Sequence, residues 1–425
     1  MKKPYKQPKP GDKIKLILEN KQETGILLDS HEPGIILIKL NTGYNIGIKK
    51  TQIQEIKLLK EKNEDKEKKE IKTSGKKPLI HFYLTGGTIS SKLDPKTGGV
   101  KDLTKPEEFF KLYPEILKIA DIKIHSPFTK WSENMNFSDW AKLAKQIEKS
   151  LNNKEVKGVI ISHGTDFLHY TSAALSFMLG KLNKPVILTY SQRSSDRGSS
   201  DARLNLICSA KMALSQIAEV MIIGHANTND EYCHALIGTK CRKNHTSRRD
   251  AFRPINTKPA AKIWPDKIQI IKKGLNKRNK EKVKADTEYQ EKIGLIKFYP
   301  GQNPDILNYY QKKGYKGLII EMSGLGHVIT NGKNNWIPNL KQQIKKGMII
   351  CAAAQTLSGR LHPYVYESAR RIKQTGVIYL EDMLPETAYV KLGWVLGHKK
   401  WRGSTATKKK MKENTAKEYN KTLNQ

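Results

Sequence analysis

Two apolar runs, Leu79 to Leu84 and Val159 to Ser162, each pass directly into a glycine turn that carries hydroxyls: Thr85-Gly86-Gly87-Thr88 and His163-Gly164-Thr165-Asp166. A short, continuous apolar run that stops at glycine reads as a buried strand, because a strand covered on both faces does not alternate. A helical segment through Phe177 follows the second turn, and Val186 to Thr189 and Val220 to Ile223 add two more strands. Strands alternating with helices predict a mostly parallel sheet with right-handed crossovers, whose ligand sits in the loops at the strand C-termini. Both glycine turns fall at such ends.

At 425 residues the chain exceeds what one core usually organises. Residues 1–57 read as a small all-β module: Ile14, Leu16 and Leu18, then Ile36, Ile38 and Leu40, then Tyr44, Ile46 and Ile48 alternate around turns such as Asn41-Thr42-Gly43. Strands this short and closely spaced predict an SH3-like barrel or meander, an adaptor more than an active site. Residues 58–78 form a charged linker that cannot bury enough apolar area to repay ordering. The α/β pattern of residues 79–257 is followed by a lysine-rich linker, 258–292, and a second α/β domain, 293–398, with a strand at Gly317 to Ile320 and a closing helix near Glu386 to Leu396. Residues 399–425, with Lys408-Lys409-Lys410, are expected to be a basic tail, disordered unless a partner orders it.

No apolar stretch approaches the length that crosses a bilayer, and Met1-Lys2-Lys3-Pro4 does not begin a signal peptide, so a cytoplasmic protein without membrane contact is expected. Cys208, Cys233, Cys241 and Cys351 have neither zinc-site spacing nor the density of a secreted scaffold, and are read as small buried or half-buried thiols. The formal net charge of +36 permits a polyanionic partner. It does not demand one, since the lysines are spread along the whole chain.

Hydrolysing a carboxamide takes an activated nucleophile, a base, a charge that holds the base, and donors for the oxyanion. Thr88 on its glycine turn offers a hydroxyl, but such turns are common after strands. Thr165 beside Asp166 offers a second hydroxyl with a carboxylate, though Asp166 would serve equally as a helix N-cap. Lys243, in the cationic run Thr239-Lys240-Cys241-Arg242-Lys243, is a candidate base with a lowered pKa, and equally a solvated lysine.

Taken together, Thr85-Gly86-Gly87-Thr88-Ile89, His163-Gly164-Thr165-Asp166 and Lys243 resemble the motifs of the two-threonine asparaginases over about Leu79 to His398. The resemblance implies that Thr88 is the nucleophile, that Thr165, Asp166 and Lys243 form the relay, and that Ser132 and Glu133 in Trp131-Ser132-Glu133-Asn134-Met135 hold the α-amino and carboxylate ends of the substrate. It also implies the fold of that region, an α/β, asparaginase-like two-domain parallel-sheet core, which the alternating N-terminal residues precede with a small SH3-like β-barrel module. Within these enzymes, residues 238–253 (GTKCRKNHTSRRDAFR), His169 to Phe177 and residues 382–389 (DMLPETAY) resemble the D-type subunits of archaeal glutamyl-tRNA(Gln) amidotransferases, as does the β-module.

What that family implies is a glutaminase whose ammonia reaches a partner, the amidotransferase's E-type subunit, through a tunnel. That partner would bind Glu-tRNA(Gln) and phosphorylate its glutamate with ATP and Mg, leaving no cofactor or metal in this chain. Nothing here resembles a P-loop. A homodimer within a heterotetramer is implied, with His327 a candidate contribution to a neighbouring site. Two departures stand out: Asp94-Pro95-Lys96-Thr97-Gly98 has proline where the family's lid carries tyrosine, and Phe167 follows the HGTD turn, where it is expected only to repack that turn. The rival readings are a free-standing L-asparaginase, disfavoured by the β-module and residues 245–252, and an RNA-binding scaffold with a decayed site, disfavoured by retention of Thr88, Thr165, Asp166 and Lys243.

Overall fold

The alternating residues of the N-terminal segment form an antiparallel five-stranded sheet of β1 (Lys13–Leu18), β2 (Gln22–Leu28), β3 (Ile35–Leu40), β4 (Asn45–Lys49) and β5 (Ile53–Lys60), in the order β4-β3-β2-β1-β5. Ile14, Leu16, Ile38 and Ile48 fill its core. Strand β1 pairs on both sides, and its register with β5 shifts twice, bending the sheet around that core. The module runs to Lys60, three residues past the expected boundary. The computed structural model describes residues 7–28, 30, 33–40, 45–61, 75–93, 100–102, 113–194 and 199–422. Most of the 58–78 linker and the Asp94-to-Gly98 stretch lie outside them.

The next domain is built on β6 (Leu79–Leu84), β9 (Asp121–His125), β10 (Val156–Ser162), β11 (Val186–Thr189) and β12 (Val220–His225), all parallel, in the order β9-β6-β10-β11-β12. Between β6 and β9, β7 (Ser91–Leu93) and β8 (Val100–Asp102) form a separate antiparallel pair just beyond Thr88. Short α1 (Ile116–Ile119) and longer α2 (Phe137–Asn152), α3 (Leu168–Met178) and α4 (Ala202–Ala213) supply the crossovers. Helix α2 starts on a capping box, with Asn136 and Asp139 exchanging side-chain and backbone bonds.

The sheet then continues antiparallel through β13 (Cys233–Ile237). A detached hairpin, β14 (Cys241–Lys243) and β15 (Phe252–Pro254), precedes β16 (Ala261–Ile263) and β17 (Ile268–Ile270), which complete the eight-stranded sheet. This corrects the linker expected at 258–292. Its lysines alternate with residues that do bury, Ala261, Ile263 and Val283, while Lys262 and Lys267 lie over the rings of Tyr232 and Trp264.

The last domain is a four-stranded parallel sheet of β18 (Ile293–Lys297), β19 (Gly317–Met322), β20 (Ile349–Ala354) and β21 (Ile378–Tyr379), with α5 (Asp305–Lys312), α6 (Ile337–Lys345), α7 (Glu367–Gln374) and α8 (Pro385–Gly397). Helix α8 is apolar nearly all round because it lies between the domains, against α3, where Phe177 stacks on Trp394. The basic tail also needs correction. It forms α9 (Ser404–Lys412) and continues to residue 422 in contact with both domains, with Thr407, Met411 and Glu418 buried.

Candidate active site

Parallel pairing sets Leu84 of β6 beside Ser162 of β10, so the two glycine turns leave the sheet side by side. Their backbones meet at the glycines. A β-carbon on Gly87, which sits at φ 88°, would lie 2.5 Å from the Gly164 nitrogen, and one on Gly86, at φ 111°, 2.5 Å from the Lys130 carbonyl oxygen. Only glycine combines that backbone with that approach. Thr85 locks the first turn by donating to the Ser162 carbonyl at 2.6 Å. Thr88 opens the next short turn and is half-buried.

Across from it, the Lys243 ammonium donates to Thr165 Oγ1 at 2.8 Å and to Asp166 Oδ1 at 2.7 Å. Lys243 is 10% exposed and Asp166 63%. Asp166 is therefore no helix cap: α3 starts without a side-chain cap, and the carboxylate holds the lysine instead. Among the described residues, the Thr88 hydroxyl bonds to none of these three; backbone contact between the turns is what brings it near. The third loop arrives on the other side of Gly164, whose β-carbon would meet Ser132 at 3.0 Å. Lys130 fixes this loop by bonding to the Thr85 carbonyl through its backbone and to Asp139 through its side chain. Ser132 Oγ accepts from the Phe167 backbone at 3.4 Å and donates to exposed Glu133 at 3.4 Å. All six sequence-predicted residues thus lie on three touching loops and the hairpin strand that carries Lys243.

A cavity of about 270 Å³ opens beside Ser132 and Glu133, walled by Trp140, Phe167, Tyr170 and Tyr389. Phe167 does not repack the turn: its ring is exposed and stands 5.5 Å from that of Tyr170 on the cavity wall. Arg242, next to Lys243, pairs with Glu386 at 2.9 Å; burial raises the Glu386 carboxyl and the guanidinium opposes this. The four cysteines are buried and unpaired, and burial pushes the Cys241 thiol up to about 12. Among the described residues, no three His, Cys, Asp or Glu are arranged to hold a metal ion.

Sequence reasoning passed over His163. It is buried, with Nδ1 2.7 Å from the Gly164 carbonyl and Nε2 2.8 Å from Thr171 Oγ1, which also accepts from Trp140 Nε1 at 3.0 Å. Its place in the HGTD run was the available signal. A neutral ring donating from Nδ1 satisfies every partner, and burial lowers its pKa to about 4. Between the ordinary value of 6.5 and about 4 the unfolded chain binds a proton that the folded chain refuses. The stability this neutral ring protects is intact above pH 6.5 and is lost as pH falls, approaching about 3 kcal/mol at the lower end. Urea midpoints measured from pH 7 to 4.5 should therefore fall less steeply in His163→Gln than in the wild type. Parallel slopes would refute the assignment.

Comparison with known proteins places family models along most of the chain: "Asparaginase, N-terminal" matches residues 79–275, "Glutaminase/Asparaginase C-terminal domain" residues 292–408, and "GatD N-terminal domain" residues 8–59. The D-type subunit of the glutamyl-tRNA(Gln) amidotransferase from Pyrococcus furiosus is 46% identical over 399 residues, covering 91% of this chain and 90% of the relative. Its counterpart from Methanobrevibacter smithii is 41% identical over 421 residues, covering 96% and 94%. Among solved structures, the thermostable L-asparaginase from Thermococcus kodakarensis aligns with a TM-score of 0.72 at 26% identity, over 81% of this chain and all of its own. L-asparaginase I from Vibrio cholerae gives 0.68 at 27% identity, over 81% and 99%.

Proposed function

The chain belongs to the family of D-type glutamyl-tRNA(Gln) amidotransferase subunits, and from that membership we propose that its site hydrolyses the glutamine side-chain amide with Thr88 as nucleophile and Thr165, Asp166 and Lys243 as proton relay. The chain is an amidohydrolase, the glutaminase that supplies ammonia for converting Glu-tRNA(Gln) to Gln-tRNA(Gln), and it works within a complex. The observation that carries the chemistry is the Lys243 ammonium bridging Thr165 Oγ1 and Asp166 Oδ1 beside the turn that presents Thr88.

In this mechanism the Thr88 oxygen attacks the amide carbon while its proton enters the relay, Thr165 and Lys243 each giving up one proton as they take one, so that the Asp166 carboxylate holds it. Backbone N–H groups of the glycine turns stabilise the oxyanion. The C–N bond breaks as the amine takes that proton and leaves as ammonia, and water then cleaves the threonine ester, releasing glutamate and restoring the hydroxyl. Ser132 and Glu133 hold the substrate's far end. The complex we envisage pairs this chain with the amidotransferase's E-type subunit, which would bind the charged tRNA and hold ATP and Mg, and with a second copy of itself in a heterotetramer.

If ammonia is delivered and not wasted, hydrolysis by the chain alone is slow, because partners can raise it only through differential affinity for the active state. Ammonia release from glutamine should rise by about tenfold when the E-type partner and Glu-tRNA(Gln) are added. That activation should fall steeply with salt as tRNA phosphates are screened. Fast asparagine hydrolysis by the lone chain, indifferent to both additions, would refute the amidotransferase role and leave a free asparaginase.

A further inference from the structure

The stretches 238–253 and 382–389, most of whose residues lie outside the relay, meet behind Lys243. Side chains of an extended segment alternate. Lys243 faces Thr165 and Asp166, while Lys240 and Arg242 are taken by the other domain, Lys240 Nζ donating to Asp382 Oδ2 at 2.7 Å and the Arg242 guanidinium forming an ion pair with Glu386, Nε to Oε1 2.9 Å. Lys240 and Asp382 are both buried.

The Asp382 carboxylate is completed from the C-terminal segment. Asn420 donates its backbone N–H to Oδ1 at 3.1 Å and its side-chain amide to Oδ2 at 2.7 Å. The same amide reaches the Asn256 carbonyl at 2.6 Å, two residues past β15, the strand paired with β14. Ahead of β14, Thr239 Oγ1 donates to the Ala416 carbonyl at 2.8 Å. Residues 416–420 therefore grip both strands of the hairpin at its base, and Lys243 ends the first strand. With three residues β14 has little ladder of its own to hold it. A misplacement of about 1 Å at a reacting group costs about a hundredfold in rate.

We propose that Asn420, acting through Asp382 and Lys240, is a positioning residue for Lys243, and that the C-terminal segment is a strap on which turnover depends. This rests on Lys243 belonging to the proton relay. In the full-length chain Asn420→Ala should lower kcat for glutamine by about tenfold and leave KM within about twofold, since the strap touches no substrate. In a Lys243→Ala background the same change should leave the residual rate within about twofold, because a residue that acts only through Lys243 has nothing left to act on. Full kcat in folded Asn420→Ala would overturn the proposal, as would equal losses in both backgrounds. Near-normal turnover in Lys243→Ala would instead overturn the relay. Should Asn420→Ala not fold, Thr239→Val removes one hydroxyl at constant shape. It should lower kcat several-fold, and unchanged kcat in that variant would count against the strap.

Discussion

Thr88→Ala lowers glutamine hydrolysis by at least about a hundredfold while the protein stays folded, and Thr165→Ala, Asp166→Ala and Lys243→Ala do the same. Each change removes the nucleophile or one member of the hydrogen-bonded group Thr165–Lys243–Asp166. None opens a large cavity. Thr88 and Thr165 are half-buried, and removing Lys243 leaves its partner Asp166 largely in water, whereas Asp166→Ala leaves the 10%-exposed Lys243 ammonium bonded to Thr165 alone and is the variant expected to lose some stability while staying folded. An ion pair with one exposed partner contributes at most about 1 kcal/mol. Steady-state ammonia release and thermal unfolding on the same preparations separate the two effects. Near-normal turnover in Lys243→Ala would show that the lysine is held in place for another reason, and loss of the folded state in all four variants would show a structural cluster and not a relay.

The turns at 85–88 and 163–166 were legible because each joins an apolar run, glycine and hydroxyl within a few residues, and the sheet then brings strand ends together. Lys243 was not legible from local sequence. Its bonds span 78 and 77 residues, and in a cationic run it reads the same whether solvated or catalytic, so resemblance alone singled it out. Asp166 shows the converse, since its position just before a helix suggested a cap that the structure does not use. The lysine-rich stretches were misread for one physical reason. Lysine ammonium groups lie over aromatic faces, as that of Lys262 does on Tyr232 and that of Lys410 on Trp394 and Trp401, so a high lysine count does not forbid order when apolar residues are interleaved.

Lys391→Met should destabilise the protein by about 3–5 kcal/mol, the largest stability effect expected of a single change outside the apolar core. Lys391 and Glu418 are fully buried and paired, and Lys391 also donates to the Met411 and Glu413 carbonyls while Glu418 accepts from the backbones of Thr415 and Ala416. Removing the cation leaves a carboxylate in the interior with two backbone donors and no counter-charge, and takes a donor from the Glu413 carbonyl, while the Met411 carbonyl keeps the Tyr419 hydroxyl. In Lys391→Met/Glu418→Leu the stranded charge is gone, and apolar residues of similar volume replace a buried pair at little net cost. The double variant should therefore recover most of the loss in a urea titration, although the Thr415 and Ala416 donors stay unmet. A double variant as unstable as the single would locate the cost in those backbone bonds, and a Lys391→Met protein as stable as the wild type would mean that the tail is not anchored by this pair. Because residues 416–420 also grip the hairpin of Lys243, Lys391→Met should lose glutaminase activity at temperatures where its sheets remain folded.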